Sequence, residues 1–179
     1  EMVPVYTDKL LLDTPVAAMK AAILESARTA GIARRMFDEV MTGFHKNDAG
    51  SLEKAEHDEN TLNDLQKQVT QYIVELSKRP LSHSESGMVP TLISGINNVE
   101  RIGDHSLSIA RLAYEKMEKN LQFSKEAMDD LLKMEKVIID MFERTITILE
   151  SGDSSRIHEV EKMEDEIDRL SEAVQKGHA

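Results

Sequence analysis

The sequence predicts an all-α protein, an antiparallel helical bundle built largely from two copies of one helical hairpin. Three observations lead to this prediction. Apolar residues recur at spacings of three and four over most of the chain, as expected of amphipathic helices. Aromatic residues make up only 4% of the 179 residues and tryptophan is absent, so aliphatic side chains and ten methionines must fill the core. The third observation is an internal repeat.

Breaks in the apolar spacing divide the chain into five predicted helices. The first begins at Pro15, because Thr14 followed by proline is a helix start signal, and it runs to about Phe44. Proline, glycine and serine cluster without apolar periodicity over residues 79–87, which we therefore predict to be a loop. The later helices are predicted over about 52–78, from residue 89 or 90 to 119, 125–149 and 155–175.

The internal repeat relates residues 36–74 to residues 141–179 at a constant offset of 105, without a gap. Met36 and Phe37 match Met141 and Phe142, and the turn between the helices falls on the corresponding turn. Chance similarity between amphipathic helices is the alternative explanation. If the repeat is real, the third helix of the second copy would lie past residue 179.

The predicted organisation is therefore a tandem of three-helix repeats in which the second repeat lacks its last helix. Residues 1–14 are a linker, residues 15–119 the first repeat and residues 125–179 the second, truncated after two helices. The absent helix would leave an apolar groove, which predicts a homodimer formed through that groove.

Composition excludes several classes of function. A formal net charge of −11 and the lack of a long basic block argue against a nucleic-acid partner. The absence of cysteine excludes disulfides and thiolate chemistry and favours the cytoplasm. No apolar run approaches the roughly 20 residues that cross a bilayer, so this segment is not expected to insert into a membrane. No nucleophile with a base and no phosphate-binding loop occurs, which predicts a protein that is not an enzyme.

The main candidate site lies on the predicted third helix. Glu100 and Asp104 are four residues apart, so both carboxylates project from one face of a helix. Hard cations and iron prefer such oxygen ligands. The alternative is a solvated acidic face that Arg101 or Arg111 screens. His105 follows directly and is open to three roles, as a metal ligand, a hydrogen-bond partner or a plain surface residue.

Residues 99–110 read Val-Glu-Arg-Ile-Gly-Asp-His-Ser-Leu-Ser-Ile-Ala and resemble the signature of the PhoU family, except that Ser108 stands where the family usually has asparagine. Residues 161–170 resemble the acidic second-helix segment of a PhoU repeat. This resemblance implies a fold of two three-helix bundles and a motif that binds metal in some members. It implies metal ligands for a divalent ion or an iron cluster, at Glu100, Asp104, Glu59 and Glu164.

Residues 6–18 resemble the linker that enters the PhoU-like cytoplasmic C-terminal domain of bacterial sodium/phosphate cotransporters. This resemblance implies a regulatory domain of phosphate transport at the inner face of the cell membrane. Its partner would be the transmembrane transporter domain or a phosphate-signalling protein. Two alternatives remain, a free-standing PhoU-type regulator of phosphate uptake and a generic helical protein-interaction module.

Overall fold

A computed structural model of the chain describes residues 4–177, and these residues are helical with short connections. The helices are α1 (Pro15–Lys46), α2 (Ala49–Ser77), α3 (His83–Glu118), α4 (Lys125–Ser151) and α5 (Ile157–Lys176). Two short 3-10 helices, Lys9–Asp13 and Ser154–Arg156, precede α1 and α5. Within residues 4–177 no strand forms, so the predicted all-α class with five helices is confirmed.

The turn between α1 and α2 follows from two residues. Asn47 adopts a left-handed conformation with φ of 51°, which ends α1, and asparagine tolerates this conformation better than most residues. Asp48 then accepts hydrogen bonds from the backbone N–H groups of Gly50 and Ser51 and caps the start of α2. Both boundaries lie within a few residues of the predicted ones.

The predicted start of the third helix was wrong. Helix α3 begins at His83, so most of the segment predicted as a loop is helical. Ser82 accepts a hydrogen bond from the Glu85 N–H at 3.1 Å, and the Glu85 carboxylate accepts one from the Ser82 N–H at 2.9 Å. This reciprocal capping box starts the helix upstream of Pro90, which lies in the helix interior. The segment was predicted as a loop because it is rich in serine and glycine. The helix start signal within it, Ser82 followed three residues later by Glu85, was overlooked.

Helix α3 is the central helix of the bundle. It packs along α1 and α2 on one side and contacts α4 and α5 on the other. Two glycines permit close approach, because a Cβ at Gly103 would lie 3.0 Å from Leu62 Cδ2, and a Cβ at Gly95 would lie 2.6 Å from Leu149 Cδ2. The second hairpin, formed by α4 and α5, contacts mainly α1 and α3 among the first three helices.

One large apolar core runs through all five helices. It includes Phe37, Ile102, Met134 and Leu170, each at most 1% exposed. A second cluster fills the end of the bundle where α1 begins and α2 ends, around Leu12 and Leu92. The buried methionines, among them Met36, Met41, Met134 and Met141, occupy the core as the composition predicts.

The second hairpin buries the apolar stripe of α5, and the predicted groove stays a prediction. Val160, Ile167, Leu170 and Val174 of α5 are all at most 1% exposed. Of the large hydrophobic side chains that are strongly exposed in the described part of the chain, one, Leu132, lies on this hairpin. The homodimer stays a prediction. The division into repeats also stays a prediction, and residues 1–3 and 178–179 of the predicted segments lie outside the described residues.

The segment before α1 is packed against the bundle. The Tyr6 N–H donates to the Glu25 carboxylate at 3.1 Å, and Glu25 is fully buried. The Tyr72 hydroxyl donates to the Asp8 carbonyl at 2.9 Å. Leu12 lies in the core at 5% exposure. Residues 4–14, predicted as a linker, therefore contact both α1 and α2 at defined points.

Candidate functional site

The two carboxylates of the predicted motif on α3 face different neighbours. Glu100 Oε2 accepts a hydrogen bond of 2.9 Å from the Gln66 amide of α2. Asp104, one turn later, lines a cavity of about 410 Å³ between α3 and α5. The side chains of residues four apart on a helix point in directions about 40° apart. Here this difference turns Glu100 toward α2 and Asp104 toward α5.

The cavity between α3 and α5 is lined almost entirely by polar side chains. Helix α3 contributes one wall and α5 the other, and the backbones of the two helices approach closely at few points. The lining residues are Arg101, Asp104, His105, Ser108, Glu164, Asp168, Ser171, Glu172 and Gln175.

A histidine and two carboxylates converge inside this cavity. His105 Nε2 lies 2.8 Å from Glu164 Oε1 and 3.8 Å from Asp168 Oδ1. One ligand atom from each of the three residues lies within 4.8 Å of the others. The second carboxylate oxygen of Glu164, Oε2, is buried and has no hydrogen-bond partner. A buried carboxylate oxygen without a partner is costly, so this oxygen is available to a cation.

The donor set fits a divalent transition metal. It combines one imidazole nitrogen with carboxylate oxygens, which suits zinc, manganese or iron(II) better than calcium, whose ligands are oxygens alone. The His105 and Glu164 side chains are 12% and 14% exposed, whereas the Asp168 side chain is 66% exposed. His105 and Glu164 are thus held by packing, and Asp168 lies on the solvent side of them.

The local electrostatics also favour a cation. Burial raises the pKa of the Asp104 carboxyl, and the negative charges of Glu100 and Glu164 raise it further, while His105 opposes them. Three carboxylates, those of Asp104, Glu164 and Asp168, therefore line the cavity with one imidazole and the Arg101 side chain. A bound cation would relieve the repulsion that this arrangement creates.

The structure brings together only part of the predicted ligand set. Asp104 and Glu164 line the same cavity, but Glu100 faces α2. Glu59 lies on α2 and accepts a 3.4 Å hydrogen bond from Asn63 of its own helix. No contact joins Glu59 to the cavity among the described residues.

Sequence reasoning left the role of His105 open and missed Asp168. One signal for Asp168 was present, because Glu164 and Asp168 repeat on α5 the spacing of four residues that singles out Glu100 and Asp104 on α3. The pairing of His105 with α5 had no comparable signal, because it depends on how two helices far apart in the sequence are oriented.

Comparison with known protein families identifies the fold. The model of the PhoU domain family matches residues 27–113 and 131–179, which is most of the chain. The chain belongs to the PhoU domain family. The match includes all the residues of the α3–α5 cavity and confirms a PhoU helical bundle. PhoU domains are non-catalytic regulatory helical domains, and membership indicates a role in regulating phosphate transport.

The remaining comparisons are negative. No curated protein and no solved structure matches the chain. Within residues 4–177, none of the helices combines the length and the apolar character that a bilayer-spanning helix needs. The PhoU family prediction is thus confirmed, while the narrower link to sodium/phosphate cotransporters stays a prediction.

Proposed function

We propose that this PhoU domain is the regulatory cytoplasmic tail of a sodium-dependent phosphate cotransporter, located at the inner face of the cell membrane. The observation that carries the proposal is the family match over the helices of both hairpins. The resemblance of residues 6–18 to the linker of such transporters favours a tail over a free-standing regulator. The domain acts through contacts with the transporter or a phosphate-signalling protein and not by catalysis.

The second part of the proposal is that a divalent metal ion binds between α3 and α5. His105, Glu164 and Asp168 would hold it, with Asp104 close by. The orphaned Glu164 oxygen and the mixed nitrogen and oxygen donors support this site. Bound there, the ion supplies a cross-link between the two helices.

Regulation would follow from this position. Helix α5 packs mainly on α4 and only loosely on α3, so an ion between α3 and α5 would strengthen a weak contact. We expect metal occupancy to change how firmly the second hairpin is held, and with it the surface offered to the partner protein.

Phosphate uptake in cells tests the proposed function. A strain that lacks only the coding region for α1 to α5 is compared with the intact strain for radiolabelled phosphate uptake, with and without sodium. A transporter tail predicts that the deletion changes only the sodium-dependent uptake. A change of equal size without sodium would instead favour the free-standing regulator, and no change in either condition would leave a general helical interaction module. The full-length protein is quantified by blotting, so that loss of the transporter is not mistaken for loss of regulation.

A further inference from the structure

The contact between α1 and α2 contains a polar cluster that the α3–α5 site does not use, with Asp58 buried, Glu39 partly buried and the Arg35 side chain 54% exposed. The Arg35 guanidinium binds both oxygens of Asp58, with Nε at 2.9 Å from Oδ2 and Nη2 at 2.6 Å from Oδ1. Asp58 is only 5% exposed. Such a bidentate pair is among the stronger ionic contacts in proteins, and it links the two helices directly.

A second carboxylate, that of Glu39, lies beside this pair but makes no hydrogen bond to its guanidinium. Glu39 Oε1 is 4.0 Å from Arg35 Nε, which is too long for a hydrogen bond, and Glu39 Oε2 is buried with no hydrogen-bond partner. The charged groups that act on Glu39 are Arg35 of its own helix and Asp58 and Lys54 of α2. His57 of α2 acts on Asp58.

The second hairpin has no carboxylate at the position that corresponds to Glu39, so the hairpin fold does not require one there. The repeat offset places Arg144 of α4 at the position of Glu39, and Glu159 of α5 at the position of Lys54. Arg144 pairs with Asp140 at 3.2 Å and with Glu159, so every charge there has a partner. Arg35, Glu39 and Lys54 thus correspond to residues of opposite charge, whereas Asp58 corresponds to Met163. Among these matched positions, Glu39 has an unpaired buried oxygen and its counterpart Arg144 is paired.

We infer that Arg35, Glu39 and Asp58 form a proton-sensitive clasp between α1 and α2. Protonated Glu39 donates an O–H hydrogen bond to the Asp58 carboxylate. Asp58 is then the one negatively charged member of the cluster, and it is paired with the Arg35 guanidinium. Ionised Glu39 loses that hydrogen bond and places a second negative charge beside Asp58. The clasp therefore holds α1 to α2 more firmly in the protonated state.

The surroundings of Glu39 favour its protonated form. Burial, followed by the hydrogen bond and the charge of Asp58, raises the pKa of Glu39 to about 7, against the opposing charges of Arg35 and Lys54. A carboxyl whose pKa is raised by folding adds stability that is complete below its ordinary value of 4.5 and is lost as the pH rises through about 7. The α1–α2 contact should thus weaken between mildly acidic and mildly alkaline solution.

Two measurements on the whole chain test the clasp. In a carbon-13 NMR titration, the side-chain carboxyl of Glu39 is expected to titrate near pH 7, and Asp58→Asn should move that midpoint toward an ordinary glutamate value. In thermal unfolding, Glu39→Gln supplies a permanent donor to Asp58. It should raise Tm by roughly 5 °C at pH 8, change it little at pH 5, and flatten the pH dependence between them.

Glu143→Gln is the matched control, because Glu143 is an exposed glutamate on the other hairpin. This variant should keep the pH dependence of the unaltered chain. A Glu39 carboxyl that titrates below pH 5 would overturn the inference. The same holds if Glu39→Gln and Glu143→Gln change the pH profile equally.

Discussion

At the scale of single residues, Glu164 shows how packing positions a candidate ligand. One of its carboxylate oxygens is bound to His105 and the other is buried with no partner. The helix stripe that carries Glu164 into the contact with α3 is apolar, so the carboxylate is held at the edge of the core by its neighbours. A residue held in this way loses little freedom when it binds an ion, which favours affinity.

The first prediction concerns the metal ligands. The unaltered chain, loaded with zinc, manganese or iron(II) and dialysed, should retain about one ion per chain by elemental analysis. His105→Ala combined with Asp168→Asn should lose it, because the remaining carboxylates provide a weak site. His158→Ala is the control, since His158 is an exposed histidine that pairs with Glu161 on the same helix. Equal retention by both variants would contradict the site.

A pair of glycines gives a second prediction at this scale. A Cβ at Gly95 would lie 2.6 Å from Leu149 Cδ2, whereas nothing lies within 4 Å of a Cβ at Gly31. Gly95→Ala should therefore lower the free energy of unfolding by about 1–3 kcal/mol through overpacking. Gly31→Ala should raise it by about 0.5–1 kcal/mol because alanine favours helix. Urea unfolding of both variants measures the difference, and two changes of the same sign would contradict the close α3–α4 contact.

At the scale of elements, the helices were largely predictable and the orientation of α3 was not. Apolar periodicity is a local property, so α1, α2, α4 and α5 lie within a few residues of their predicted bounds. The face that α3 turns toward α2 or α5 depends on packing between distant segments. That is why the sequence indicated Asp104 and Glu164 for one site but also grouped Glu100 with them, although Glu100 contacts Gln66.

The start of α3 gives a prediction for one element. Ser82→Ala removes the acceptor for the Glu85 N–H and should destabilise the chain by about 1 kcal/mol. Hydrogen exchange followed by mass spectrometry should show faster exchange over residues 83–89, with little change in the rest of α3. Ser84→Ala serves as the control, because Ser84 lies two residues later and is exposed. Equal exchange in the two variants would argue against the capping box.

At the scale of the whole molecule, the five helices share one core, but they are packed against one another to different extents. Helix α1 packs extensively on α2 and α3, whereas α5 packs mainly on α4 and only loosely on α3. The polar cavity lies between α3 and α5. The candidate ligands thus meet at a loosely packed contact of the bundle.

The last prediction follows from this unequal attachment. Addition of the retained metal to the metal-free chain should slow hydrogen exchange in α5 several-fold or more, and should leave α2 nearly unchanged. The slowing arises because the ion binds the folded arrangement and not the opened one. Metal binding without protection of α5 would keep the site but refute its role in holding the hairpin. The His105→Ala and Asp168→Asn double variant should show no metal effect.

The segment before α1 has a mechanical consequence. Its backbone is attached to Glu25 of α1 and to Tyr72 of α2 within three residues of each other, and Leu12 is anchored in the core. The direction of the chain near residue 6 is therefore fixed relative to the bundle, and it cannot swivel as a flexible tether would. A pull at this point would therefore act on α1 and α2 together, through two hydrogen bonds and one buried side chain.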